Sequence, residues 1–143
     1  MNYIVLCLVL LCCVSQLFSF EVPDELIDTK TQECLSELNF DKKIVSKYVD
    51  EKLRIINLDE DGIKLMKCSI KKGNYYTPDG EFNREAIIEE LAKTIHYYVH
   101  HEMKDKVAVA TQLYDKCNTR NGKDQVEELT NLNNCIVNEA QKV

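Results

Sequence analysis

Cysteine, histidine and clustered acidic side chains are the groups of this 143-residue chain whose types and spacing could do chemistry. Cys7, Cys12 and Cys13 lie in an apolar first segment, whereas Cys34, Cys68, Cys117 and Cys135 are spread through the remainder. Structural zinc sites gather their ligands in close C-x₂₋₄-C pairs, and even Cys117 and Cys135 stand too far apart for that. Four well-separated cysteines in a small exported domain read instead as two disulfides, and three pairings are open.

His96, His100 and His101 fall within IHYYVHHEM, so a continuous helix would put the first two on one face at i, i+4. Imidazole titrates near neutrality and binds zinc or copper, which makes this trio a candidate for metal binding or pH-linked ligand release. The Glu that a zinc protease needs directly after the first His is missing, and solvated or hydrogen-bonded histidines are the simpler reading. Asn57, Asp59, Asp61 and Gly62 imitate the start of a calcium loop, but Cys68 stands where the bidentate Glu is required. Glu89-Glu90 and Glu127-Glu128 are sequence neighbours, which diverge on a helix and so form solvated faces rather than an acid/base dyad. No nucleophile elbow or phosphate loop occurs. The expected function is therefore non-enzymatic, with no cofactor and no metal.

Those groups must be held by a scaffold, and the chain supplies one after residue 20. Met1 to Phe20 carries no charged side chain, and its apolar run from Tyr3 to Val14 gives way to Ser15, Gln16 and Ser19. This outlines a secretory signal peptide, residues 1–20, with cleavage between Ser15 and Glu21. Residues 21–143 then form one domain with one modest core. All the charge lies there, a formal net charge of −6. An acidic domain argues against nucleic acid and anionic membrane surfaces as partners, and no stable membrane insertion is expected of it.

With only two prolines and four glycines, and apolar residues at helical spacing, residues 21–143 read as all-α. The first helix, entered through Pro23-Asp24-Glu25, carries Ile27, Cys34, Leu35 and Leu38. Asp41 caps a short second helix with Ile44, Val45, Tyr48 and Val49. The third starts at Leu58-Asp59-Glu60-Asp61, carries Ile63, Leu65, Met66, Cys68 and Ile70, and breaks at Gly73-Asn74. A Thr77-Pro78-Asp79-Gly80 turn leads to Asn83, which caps a fourth helix bearing the longest apolar stripe: Ile88, Leu91, Ile95, Tyr98 and Val99. A fifth helix through Val107, Ala110, Leu113, Tyr114 and Cys117 ends near Asn121-Gly122. Asp124 and Glu127 open the sixth, with Val126, Leu129, Leu132, Ile136 and Ala140. Six short amphipathic helices must wrap one another, stapled by cysteines on the first, third, fifth and sixth.

Such an exported, acidic, six-helix domain, with the segment LMKCSIKKGNYYTPDGEFN from Leu65 to Asn83, resembles the insect odorant-binding proteins over residues 21–143. In that family a cysteine-bearing helix is followed by a Gly-containing loop and an Asp-Gly turn into the helix that lines the cavity. The usual family pattern has six cysteines; here Lys64 and Val126 stand where the second and fifth would fall. Loss of both partners of one bridge distinguishes the four-cysteine, minus-C members. The resemblance thus implies a six-helix disulfide-stapled fold enclosing an apolar cavity, with bridges Cys34–Cys68 and Cys117–Cys135. The interval from Cys68 to Cys117 is longer than most members have, so the fourth helix or the loop after it is expected to be extended.

The resemblance further implies extracellular binding and transport of a small hydrophobic ligand such as an odorant, pheromone or lipid. An odorant receptor or a second protomer is a further partner the family admits. The chain has seven Tyr and no Trp, and an apolar cavity with a few hydroxyls suits an apolar ligand with one polar end. The expected cavity wall is Tyr48, Met66, Leu91, Ile95, Tyr98, Leu113 and Tyr114. Two other tasks fit the same chain: scavenging of amines or lipid mediators in saliva or venom on the same fold, and helical signalling through a filled core.

Overall fold

A computed structural model describes residues 20–143, so the expected leader lies, except for Phe20, outside the described residues. Five α-helices follow one another: α1 (Thr29–Glu37), α2 (Glu60–Gly73), α3 (Arg84–Thr94), α4 (Lys106–Cys117) and α5 (Gln125–Ala140). The expected second helix is present between α1 and α2 as a 3₁₀ helix, Lys42–Lys47. Its i→i+3 bonds, Ile44 N–H to Asp41 O at 3.0 Å and Tyr48 N–H to Val45 O at 3.0 Å, suit a piece too short to settle into the α form. Among the described residues the fold is all-helical apart from isolated antiparallel bridges at Val49–Ile55 and Tyr76–Phe82.

The helix starts follow from side chains that satisfy orphan N–H groups. Asp59 accepts from Gly62 N at 3.0 Å, Asn83 from Ala86 N at 3.4 Å, and Asp124 from Glu127 N at 2.9 Å. One start and one end differ from the sequence reading. Asp24–Leu26 is a single 3₁₀ turn, and α1 begins only after Asp28, whose carboxylate takes the Thr31 N–H at 2.6 Å. The stripe of the fourth predicted helix is α-helical only to Thr94 and tightens to a 3₁₀ turn over Ile95–Tyr97.

Packing divides into two apolar clusters. Ile27, Cys34, Leu35 and Leu65 join α1 to α2 with the 3₁₀ residues Ile44 and Val45 against them. The larger cluster joins α3, α4 and α5. A disulfide reinforces each: Cys34–Cys68 ties α1 to α2 and Cys117–Cys135 ties α4 to α5, with Cα separations of 5.8 and 5.7 Å. These are the bridges the family resemblance implies. Lys72 adds ion pairs from α2 to Glu37 and Glu33 of α1 at 2.7 and 3.3 Å.

The stretch between the 3₁₀ helix and α2 is held from a distance. Asn134 of α5 uses both ends of its amide on one residue, accepting from Ile55 N at 2.8 Å and donating to Ile55 O at 2.9 Å. Leu53 adopts φ 66°, a conformation costly for a side chain of its size. It is pinned there by its own N–H on Asp50 O at 2.8 Å and by Asn133 Nδ2 on its carbonyl at 3.3 Å.

Candidate ligand-binding core

Five of the seven expected wall residues meet in the larger cluster. Leu91 comes from α3 and Ile95 from the 3₁₀ turn that follows it, Leu113 and Tyr114 from α4, and Tyr98 packs against them from the segment after that turn. Helical spacing accounts for the meeting: Leu91 and Ile95 stand one turn apart, and Leu113 and Tyr114 lie one turn beyond Ala110, which is fully buried. Ile136 and Leu132 of α5 close the third side.

Tyr48 and Met66 lie elsewhere. Tyr48 is 3 % exposed, but its hydroxyl points to the α2 N-cap, donating to Asp59 Oδ1 at 2.6 Å. Burial, reinforced by the Asp59 carboxylate, pushes that hydroxyl's pKa up. Asp59 is held well below the usual carboxylate range, first by its hydrogen bond from Lys47 and then by those from Tyr48 and the Gly62 N–H. Met66 is half-buried on α2, outside both clusters.

Two tyrosines that the expected wall omits do pack against the core: Tyr75 and Tyr76. The signal that could have found Tyr75 is Gly73. A β-carbon there would sit 2.4 Å from the Tyr75 ring, so glycine at the end of α2 is what lets Tyr75 fold back over the helix terminus. Burial drives the Tyr75 hydroxyl pKa strongly upward. Tyr76 lies with its ring 5.2 Å from Phe82 and its hydroxyl 3.0 Å from the Gln125 carbonyl and 3.1 Å from Glu128 Oε2. It thereby fastens the turn before α3 to the start of α5.

The edges of the core are polar. Arg84 lies over the Tyr114 ring, 5.8 Å from its centroid, while its Nη2 bonds both Asp115 oxygens at 3.1 Å. Burial pushes the Tyr114 hydroxyl pKa up, and the neighbouring Arg84 opposes it. On the other edge Tyr98 lines a cleft of about 330 Å³ with Leu53, Tyr97 and His100. Tyr98 therefore touches both the apolar cluster and a solvent-facing opening.

The histidines do not form the face expected of them. The helix has ended before His96, which lies in the 3₁₀ turn with its ring 4.0 Å from that of Tyr97, and His100 and His101 follow outside any helix. All three are exposed. The i, i+4 relation fails because the chain abandons α geometry at Thr94, whose hydroxyl folds back onto the Glu90 carbonyl at 3.2 Å. Among the described residues no three His, Cys, Asp or Glu side chains converge as metal ligands. Nor is any described helix long and apolar enough to cross a membrane.

No curated protein and no solved structure matches the chain. The sequence profile of the PBP/GOBP family matches residues 22–139, a span that takes in the smaller cluster, all of the larger one but Ala140, both disulfides and nearly all of α5. With an all-helical fold stapled by Cys34–Cys68 and Cys117–Cys135, the chain belongs to the PBP/GOBP family, the insect odorant-binding proteins, in a four-cysteine form.

Proposed function

We propose that this protein is an extracellular carrier that binds a small hydrophobic ligand, an odorant, pheromone or lipid, between α3, α4 and α5, and makes or breaks no bond. The observation that carries the reading is the convergence of Leu91, Ile95, Tyr98, Leu113 and Tyr114 in one apolar cluster. Burial of ligand surface there supplies about 25 cal/mol per Å² of apolar area, and Tyr hydroxyls at the margin offer partners to a single polar end. Tyr98, at once on the cluster and in the cleft with His100, is the place where a ligand passes from solvent into the core. Residues 1–20 act as the secretion signal, and the two disulfides suit the oxidising compartment to which it leads.

A neutral fluorescent apolar probe tests the reading by titration. Saturable binding, reversed by competing apolar ligands, supports it. Absence of saturable, displaceable binding overturns it.

A further inference from the structure

The seam between α2 and the start of α5 carries a second feature, outside the α3–α4–α5 core but bordering it through Tyr76. One face of α2 presents Ile63, Lys67, Ile70 and Lys71 at helical spacing. Lys67, Ile70 and Lys71 line a cleft of about 560 Å³ whose far side includes Val126 at the first turn of α5. Val126 also borders a neighbouring cleft of about 250 Å³ with Leu58 and Ile63. The two clefts share Asp124 and Val126 and so adjoin, making a two-part trough along the seam. Its floor is apolar, with Ile70 and Val126 only 6 % and 8 % exposed, while Ile63 at 37 % is among the few large apolar side chains left to solvent.

Two of the four lysines of α2 line this trough, and among the described residues they are the two without an ion pair. On α2, Lys64 pairs with Glu60 at 2.9 Å and Lys72 with Glu37 at 2.7 Å. Among the described residues Lys67 and Lys71 reach no carboxylate within 4.0 Å. The acids of the opposite wall are already engaged: Asp124 accepts the Glu127 N–H at 2.9 Å, and Glu127 accepts the Lys123 N–H at 3.0 Å. With Asp124 in the same cleft, Lys67 and Lys71 leave a surplus of one positive charge there, while Lys123 beside Asp124 and Glu127 leaves none in the second cleft; that pattern complements a single negative charge on an apolar tail. A polyanion fits poorly, since Asp124, Glu127 and the net charge of −6 repel it.

We propose that this seam binds an amphipathic anion of the fatty-acid class, its carboxylate between Lys67 and Lys71 and its alkyl chain running past Val126 toward Ile63 and Leu58.

The test compares dodecanoate with dodecanol on the disulfide-intact protein, and maps a stearate carrying a nitroxide near its tail by paramagnetic broadening in NMR spectra. Dodecanoate binding should weaken roughly 3- to 10-fold in the Lys67→Gln/Lys71→Gln variant, the effect of two exposed ion pairs, with dodecanol affinity unchanged. The nitroxide should broaden Ile63 and Val126. Undiminished dodecanoate affinity in the variant, or no binding of dodecanoate at all, overturns the proposal. Broadening confined to Leu91 and Leu113 overturns it too, and leaves the carrier reading standing.

Discussion

Replacing Gly62 by alanine should destabilise this protein, although the same change in most helices stabilises. Helix propensity alone favours alanine by up to ~1 kcal/mol. Against that, a β-carbon at position 62 would lie 2.9 Å from Tyr48 Cε1, 3.0 Å from Tyr48 Cζ and 3.0 Å from Leu58 Cδ2. The Leu58 methyl can rotate away; the Tyr48 ring cannot. It is 3 % exposed, and its hydroxyl is tethered to Asp59, which in turn caps the N–H of residue 62 itself. Overpacking against a fixed neighbour costs about 1–3 kcal/mol, so the net loss should be about 1 kcal/mol. Urea denaturation with the disulfides intact, followed by far-UV circular dichroism, measures it. In a Tyr48→Leu background the clashing ring atoms are gone, and Gly62→Ala should turn neutral or stabilising, a coupling of about 1–2 kcal/mol. If Gly62→Ala stabilises with Tyr48 in place, the assignment of Tyr48 as a fixed strut of the α2 N-terminus is wrong.

Other outcomes follow from the same contacts. Removing Cys117–Cys135, which spans 18 positions, by paired serines should cost ~3 kcal/mol, and removing Cys34–Cys68, which spans 34, nearer ~4 kcal/mol; equal or negligible shifts in urea midpoint would contradict the loop-closure account. Asn134→Ala strips both partners from the Ile55 peptide and should cost ~1–3 kcal/mol, with hydrogen exchange accelerated over residues 48–57 and unchanged in α3. Asp59 is depressed in the folded state by Lys47, Tyr48 and the Gly62 N–H, so its contribution is complete above its unfolded value of about 3.9 and fades as the pH falls below that. Asp59→Asn keeps a capping side chain and should flatten the acid limb of stability measured from pH 5 downward; an unchanged acid limb would place the sensitivity in other carboxylates.

The parts of the fold legible in the sequence were those governed by neighbours in the chain. Asp59, Asn83 and Asp124 read as helix starts because an N-cap acts over three residues, and each makes that bond. Leu91, Ile95, Leu113 and Tyr114 read as one apolar wall because helical periodicity puts them on inward faces. The bridges followed from the family likeness, since local spacing alone leaves three pairings open. Long-range polar contacts left no such trace. Tyr48 looked like a wall residue because a tyrosine on an apolar stripe is ambiguous until the partner of its hydroxyl is known, and that partner is the cap of the next helix. The Asn134 clamp on Ile55 joins residues 79 positions apart, with nothing in either segment to announce it. The histidine face failed for a subtler reason: IHYYVHHEM continues the apolar pattern, but the backbone tightens into a 3₁₀ turn over its first three residues.

The central claim is that the α3–α4–α5 cluster takes up an apolar ligand, and methyl-resolved NMR of the Ile, Leu and Val side chains during titration with dodecanol tests it most directly. The account predicts saturable shifts at Leu91, Ile95 and Leu113, with α1 methyls such as Leu35 unmoved. Saturable binding that leaves those three methyls in place and moves others would contradict it.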